Sequence, residues 1–221
     1  MNPDPLVPMG QIMQSWPGRP LDALGTMRMI NEVGSQPPLV WFFNGAAEPA
    51  NLATALGPDQ PLIYGRSLHL LVPAAEARKE PANIVARHYF ETLQRHLTAR
   101  ALWLGANCQG EQIALPLFRH LVKAGFDVPA LAFITNQLRD AETDRPALLI
   151  YGKQDDIHNP FVQDIEQAHA RAAVMFSFYQ QALLDVGHGQ YLQPPAVDQV
   201  AAHLIAFRNR YVVTSGDTAA I

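Results

Sequence analysis

The stretch LWLGANCQG, residues 102–110, decides the fold class of this chain. The apolar residues Ala101–Leu104 are typical of a buried strand, and a segment with helical character follows the stretch. Cys108 stands at the junction, with Ala106 two residues before it and Gly110 two residues after it. A sharp strand-to-helix turn exposes the side chain at its apex, and it needs small neighbours because the strand and the helix approach closely. The stretch therefore predicts a nucleophile turn with Cys108 at its apex.

The position of Cys108 favours reactivity, although a lone cysteine in an apolar context is more often an inert core residue. A helix that begins here offers free backbone N–H groups and a positive dipole end, which lower the pKa of a thiol and stabilise an oxyanion. The N–H of Gln109 is one predicted oxyanion donor. The second is predicted in the loop after the apolar run Leu39–Phe43, where Ala46 is the candidate. An ordinary strand-to-helix turn would also use these residues.

A histidine and an aspartate complete the predicted triad. His188 is flanked by two glycines, which suit a tight loop that presents an imidazole. Asp155 follows the predicted strand Ala147–Tyr151, and catalytic groups lie at the carboxyl ends of strands in open α/β sheets. The chain order nucleophile, acid, histidine is that of α/β-hydrolase triads. Asp156 is the reserve acid, and a helix-capping aspartate pair or a solvated histidine remains the alternative.

The rest of the chain predicts an α/β domain with a mostly parallel sheet flanked by helices. Residues 1–25 are predicted to be an irregular Pro-rich leader, 26–213 the domain and 214–221 a flexible tail. Only eleven residues join two of the strands at Thr135–Arg145, which predicts a reduced or absent helical lid. The predicted strands are Met27–Val33, Leu39–Phe43, Pro61–Tyr64, Ala101–Leu104, Val128–Ile134, Ala147–Tyr151 and Ala173–Phe178, and the predicted helices are Asn51–Leu56, Asn83–Thr98, Gln109–Ala124, Asn159–Arg171 and Pro195–Arg208.

Composition excludes several classes of protein. A chain with 48% hydrophobic and 16% charged residues is globular in composition, and a net charge of −4 argues against nucleic acid as a partner. No stretch approaches the roughly 20 apolar residues of a membrane span, and the N-terminus predicts no secretory signal. With one cysteine, a reducing cytoplasm is the expected location. No metal is expected, because His158 has no second histidine or cysteine at ligand spacing.

Three stretches resemble the thioesterase domains that close nonribosomal peptide and polyketide assembly lines. Met27–Gly45 is similar to their entry strand and oxyanion strand, Leu52–Tyr64 to the next helix and strand, and Leu104–Ala114 to their nucleophile turn in its cysteine variant. The resemblance implies an α/β-hydrolase fold and no cofactor. It implies a substrate delivered on phosphopantetheine by an acyl or peptidyl carrier protein, or a small acyl thioester. The family often has its acid after the strand that follows the nucleophile helix, where Phe133–Asn136 here contains no carboxylate, so Asp155 takes that role.

The expected activity is therefore acyl transfer or hydrolysis through an acyl-enzyme on Cys108. Two alternatives stay open. A lidless domain with a cysteine, a late aspartate and a histidine also resembles dienelactone hydrolase, which would make the chain a small-molecule esterase or lactonase. The missing carboxylate at Thr135 also permits a non-catalytic α/β-hydrolase-fold domain that binds an acyl group or a partner protein.

Overall fold

The computed structural model describes residues 4–72, 79–98, 100–135, 137 and 143–212. In these residues one eight-stranded sheet has the order β1-β2-β4-β3-β5-β6-β7-β8. The strands from β3 onwards pair in parallel, whereas β1 and β2 pair antiparallel. The strands are β1 Arg19–Pro20, β2 Met27–Ile30, β3 Leu39–Phe43, β4 Leu62–Arg66, β5 Trp103–Asn107, β6 Leu131–Ile134, β7 Thr143–Gly152 and β8 Phe176–Leu184.

Helices flank this sheet. Helix α3 packs against α4, and α2 packs against α7. The helices are α1 Leu6–Met13, α2 Glu48–Leu56, α3 Lys79–His96, α4 Glu111–Lys123, α5 Pro160–Gln163, α6 Ile165–Met175 and α7 Ala196–Tyr211. Among the described helices, none combines the length and the apolar character needed to cross a bilayer.

The central strands are buried along their whole length. Every residue of β3, β5 and β6 is buried, and Trp41 and Trp103 are fully enclosed. Parallel strands covered on both faces have continuous apolar sequences rather than alternating apolar and polar residues, which is why these segments were recognisable. The predicted mostly parallel, helix-flanked sheet is confirmed.

The leader is more ordered than the sequence predicted, because irregular structure was expected over residues 1–25 and residues 6–13 form a helix. Helix α1 occupies Leu6–Met13, and Met9 and Met13 are fully buried beside Trp16. These apolar side chains have helical spacing, but the prolines around them suggested a loop. Pro8 falls in the first turn of α1, where a proline is tolerated because its missing N–H would have no intrahelical partner.

Other boundaries also differ. Asn83 lies inside α3 rather than at its start, and the predicted strand Ala173–Phe178 is divided, because α6 runs to Met175 before β8 begins. The predicted helix after Asn159 is interrupted at Asp164, whose side chain accepts a hydrogen bond from a backbone N–H of α6 and caps that second helix.

Two predictions fall mainly on residues outside the described part of the chain. The tail 214–221 lies entirely outside it, as does residue 213. The connection from β6 to β7 comprises residues 135–142, of which only Thr135 and Gln137 are described. The reduced or absent lid therefore stays a prediction from the length of this connection.

Candidate active site

The junction of β5 and α4 has the predicted sharp turn. Cys108 follows the last residue of β5 and has a φ of 49°, in the left-handed region that non-glycine residues rarely adopt. Such a conformation costs of the order of 1–3 kcal/mol and persists only where the surrounding structure enforces it. Gly110 shows that constraint, because a Cβ there would lie 2.7 Å from the carbonyl oxygen of Phe42 on β3. The small residue is required for the close approach of the helix to the sheet.

The thiol of Cys108 is held in its neutral form. Burial raises its pKa, and the negative charge of Glu111 raises it further. The backbone N–H of Gln109 and the side chains of Thr135 and Asn44 offset this in part, because they stabilise a thiolate. The sulfur therefore needs a base to become a nucleophile at neutral pH. The sequence did not predict these two contacts with the sulfur: Thr135 was noted only as the place of a missing acid, and the side chain of Asn44 was not assigned a role.

Asp155 and His188 are brought together as predicted. Asp155 follows β7 and has a side chain only 2% exposed, and His188 lies on the loop after β8. Nδ1 of His188 is 2.9 Å from Oδ2 of Asp155. An ionised carboxylate only accepts, so the ring donates from Nδ1 and leaves Nε2 as a proton acceptor. Burial alone would raise the pKa of Asp155, but the hydrogen bonds from His188 and His158 lower it overall, which keeps the carboxylate charged.

Two further side chains hold Asp155, and neither was assigned to the triad from the sequence. His158 donates to Oδ1 from its backbone N–H and from Nδ1, each at 3.1 Å. Tyr191 donates its hydroxyl to Oδ2 at 3.1 Å and accepts the N–H of Gly152 at 2.7 Å. The His158 ring stacks on that of His188, with centroids 3.9 Å apart. The spacing of three residues between Asp155 and His158 was the only sequence signal of this contact.

The third member of the predicted triad is not joined to the other two. Within the described residues, no hydrogen bond links Sγ of Cys108 to His188 or Asp155. A thiolate at Cys108 would help to raise the pKa of Tyr191, which places the sulfur within electrostatic range of a residue that holds Asp155. Asp156, the reserve acid, is exposed, and its carboxylate bonds to neither histidine in the part of the chain that the structure describes.

The loop after β3 contains the backbone N–H of Ala46, the predicted second oxyanion donor. Glu48, at the start of α2, accepts from the N–H of Asn44 at 2.9 Å and interacts with that of Gly45. Burial raises the pKa of Glu48. The N–H of Ala46 makes no hydrogen bond to a described residue. In this loop Asn44 and Gly45 are engaged by Glu48, and Ala46 stays the oxyanion donor predicted from the sequence.

Comparison with known proteins agrees with this architecture. No protein-family model matches the chain, and no curated protein matches its sequence. The NocB thioesterase domain, solved in covalent complex with a fluorophosphonate nocardicin G analogue, has a TM-score of 0.63 and 12% identity over 82% of this chain and 98% of its own. The four-domain nonribosomal peptide synthetase AB3403 gives a TM-score of 0.63 at 14% identity, over 82% of this chain and 20% of its own.

A hydrolase outside the thioesterases is similar to the same degree. CarC, described as a serine hydrolase involved in carbazole degradation, has a TM-score of 0.60 and 12% identity over 83% of this chain and 94% of its own. Such low identities establish architecture and leave chemistry to be argued from the residues. By strand order, helix placement and these similarities, this chain has the α/β-hydrolase fold.

Proposed function

We propose that this chain takes an acyl group from a carrier-bound pantetheine thioester onto Cys108 and passes it to a second nucleophile or to water. The observation that carries the proposal is the arrangement of three strand ends. A strained Cys108 follows β5. The buried carboxylate of Asp155 follows β7, and it is bonded to His188, which follows β8 of the same sheet. Carboxyl ends of parallel strands share one edge, which is where such sheets bind their ligands.

In the first step His188 acts as the general base. Its Nε2 accepts the thiol proton of Cys108 while Asp155 stabilises the imidazolium that forms. The sulfur then bonds to the carbonyl carbon of the thioester, and the N–H groups of Ala46 and Gln109 hold the oxyanion. His188 is exposed on a loop between two glycines, so its approach to the sulfur on substrate binding is expected. Catalytic hydrogen bonds are often long before substrate binds.

In the second step the bond to the pantetheine sulfur breaks, and that sulfur leaves with the proton from His188. An acceptor hydroxyl, amine or water then gives its proton to His188 and bonds to the acyl carbon. The bond between that carbon and Sγ of Cys108 breaks, and His188 returns the proton to the thiolate. Because a thioester intermediate is more reactive towards amines and alcohols than an ester, transfer and ring closure are as accessible as hydrolysis. The structural likeness to thioesterase domains supports an acyl or peptidyl carrier protein as the donor.

The test is intact mass spectrometry after incubation with a panel of acyl-pantetheines in the presence of a chelator. The expected result is one added acyl mass on the wild-type protein and none on Cys108→Ala. Asp155→Asn tests the acid of the triad. Its matched control is Asp156→Asn, because that change removes the exposed neighbouring carboxylate and leaves the contact between Asp155 and His188 intact. Absence of both an adduct and released pantetheine thiol across the panel, or an adduct that persists in Cys108→Ala, would contradict the proposal.

A second candidate is a small-molecule esterase or lactonase with the same three residues. It is favoured by the position of the acid, since Asp155 follows β7, and Thr135, the first residue after β6, carries no carboxylate. Turnover of free esters or lactones, without an adduct from any acyl-pantetheine, would select this candidate.

A non-catalytic binding domain is the third candidate. It is favoured by the raised pKa of Cys108 and by the missing hydrogen bond to His188. A thiol that reacts with neither class of substrate would select it.

A further inference from the structure

Three side chains that are typical metal ligands meet at the carboxyl ends of β7 and β8. One carboxylate oxygen of Asp155 and one ring nitrogen each of His158 and His188 all lie within 4.8 Å of one another. The sequence argued against a metal because His158 had no partner at ligand spacing. The fold supplies that partner from the loop after β8, which local spacing does not reveal.

We propose that Asp155, His158 and His188 bind a divalent d-block ion, with Zn²⁺ the best fit, and that the bound ion blocks acylation of Cys108. The second half of this statement rests on the proposed function. Two imidazoles and one carboxylate are a ligand set that Zn²⁺ takes at about 2.0–2.2 Å, with further positions open to water.

The present distances are close to those of a coordination shell. Nδ1 of His188 and Nδ1 of His158 lie 2.9 Å and 3.1 Å from the two oxygens of Asp155. Ligand atoms of one tetrahedral zinc ion at these bond lengths are about 3.3 Å apart. Closing the shell around an ion therefore asks for shifts of a few tenths of an ångström between the carboxylate and each ring nitrogen.

One ring has to turn for both to face a common ion. The rings of His158 and His188 are stacked at 25°, so the lone pairs in their planes run nearly parallel. His188 is the ring that can turn, because its side chain is 42% exposed and glycines flank it, one of them, Gly189, at a φ of 79°. The loop can absorb this rotation without disturbing the buried carboxylate.

Solvent reaches the cluster from the side of the histidines. The side chain of His158 is 31% exposed, whereas that of Asp155 is 2% exposed and gives a fixed anionic anchor. His158 also borders a cavity of about 120 Å³ that Asp164 and Arg171 line with opposite charges. An ion can enter through this polar space and keep water on its open positions.

Binding of the ion and action of His188 as a base exclude each other. In the metal-free site the His188 proton is on Nδ1, where it donates to Asp155, and Nε2 is free to accept the proton of Cys108. An ion bound at Nδ1 requires the other tautomer, in which Nε2 carries the proton and can no longer accept one. The ion therefore removes the base without touching the thiol.

The binding test uses the full-length protein after chelation, titrated with ZnCl₂ by calorimetry and with CoCl₂ by visible absorption. We expect one equivalent of Zn²⁺ and a Co²⁺ spectrum of nitrogen and oxygen ligation, each weakened at least about tenfold in His158→Asn and in His188→Asn. His203→Asn, which changes a histidine of α7 outside the cluster, is the matched control and keeps wild-type binding. No saturable binding in the wild-type protein, or undiminished binding in both cluster variants, overturns the site.

Failure of one proposal is distinguishable from failure of the other. Metal binding is read without substrate, and the acyl adduct on Cys108 is read in the presence of a chelator. If the adduct forms, we expect one equivalent of Zn²⁺ to suppress it in the wild-type protein and a chelator to restore it. An adduct that forms equally well with the site saturated overturns the inhibitory role. Circular dichroism of each variant confirms folding, and His158→Gln replaces His158→Asn if the latter does not fold.

Discussion

The close contact between Gly110 and β3 gives a prediction whose size can be worked out from the structure. In Gly110→Ala the new Cβ would lie 2.7 Å from the carbonyl oxygen of Phe42, 2.8 Å from its Cβ and 3.1 Å from the Cβ of Ala106. The first two distances are well below van der Waals contact, and the carbonyl oxygen belongs to the backbone of a central strand. A central strand cannot move aside as the tip of a flexible side chain can. Overpacking of this kind costs about 1–3 kcal/mol.

The expected loss can be measured by thermal unfolding. For a chain of this length each kcal/mol corresponds to about 2–4 °C, so Gly110→Ala should melt about 2–12 °C below the wild-type protein. Acylation of Cys108 should also slow, because the first turn of α4 and the N–H of Gln109 must shift with it. Gly187→Ala is the matched control for the melting temperature, since its Cβ would meet only the end of the Gln190 side chain at 3.4 Å. Equal melting temperatures for Gly110→Ala and the wild-type protein would refute the packing argument.

Three further changes test charges and hydrogen bonds. Burial opposes ionisation of Asp22, yet its hydrogen bonds lower its pKa from 3.8 to about 2. Urea unfolding of Asp22→Asn should therefore show a free energy of unfolding about 2 kcal/mol below that of the wild-type protein at pH 7. This difference should be present above about pH 4 and vanish as the pH falls through about 2. A pH-independent difference would speak against this. Tyr191→Phe removes the hydroxyl that donates to Asp155 and leaves the buried backbone N–H of Gly152 without a partner, so calorimetry should show a free energy of unfolding lower by about 1–3 kcal/mol. A neutral effect would mean that water replaces the hydroxyl. Glu111→Gln removes a charge that raises the pKa of Cys108, so the pH profile of iodoacetamide alkylation should move to lower pH, and a shift the other way would be inconsistent with the charge effect.

The sharp turn at Cys108 was predictable because its determinants are local. A buried strand, a small residue, Cys108, a second small residue and a helix are contiguous in the sequence, and the φ of 49° and the contact of Gly110 with Phe42 follow from that order. The pairing of Asp155 with His188 was also predictable, since both follow strands of one parallel sheet and their order along the chain matches the fold.

The surroundings of the carboxylate were not predictable in the same way. Tyr191 reaches Asp155 from the segment between β8 and α7, and no local pattern marks its hydroxyl as the acceptor for a backbone N–H. The stacking of His158 on His188 depends on how two loops from different strands meet. Helix α1 was missed because its buried methionines lie among prolines, which outweighed a short helical stripe.

The most direct test of the account is the rate at which an acyl-pantetheine acylates Cys108 in chelated protein, compared between the wild-type protein and His188→Asn. We expect the variant to fold, to keep its thiol and to react about 10²–10⁴ times more slowly near neutral pH, because that is the usual contribution of a general base. Equal rates in the two proteins would contradict it, because the thiol would then react without the imidazole that the fold brings to Asp155.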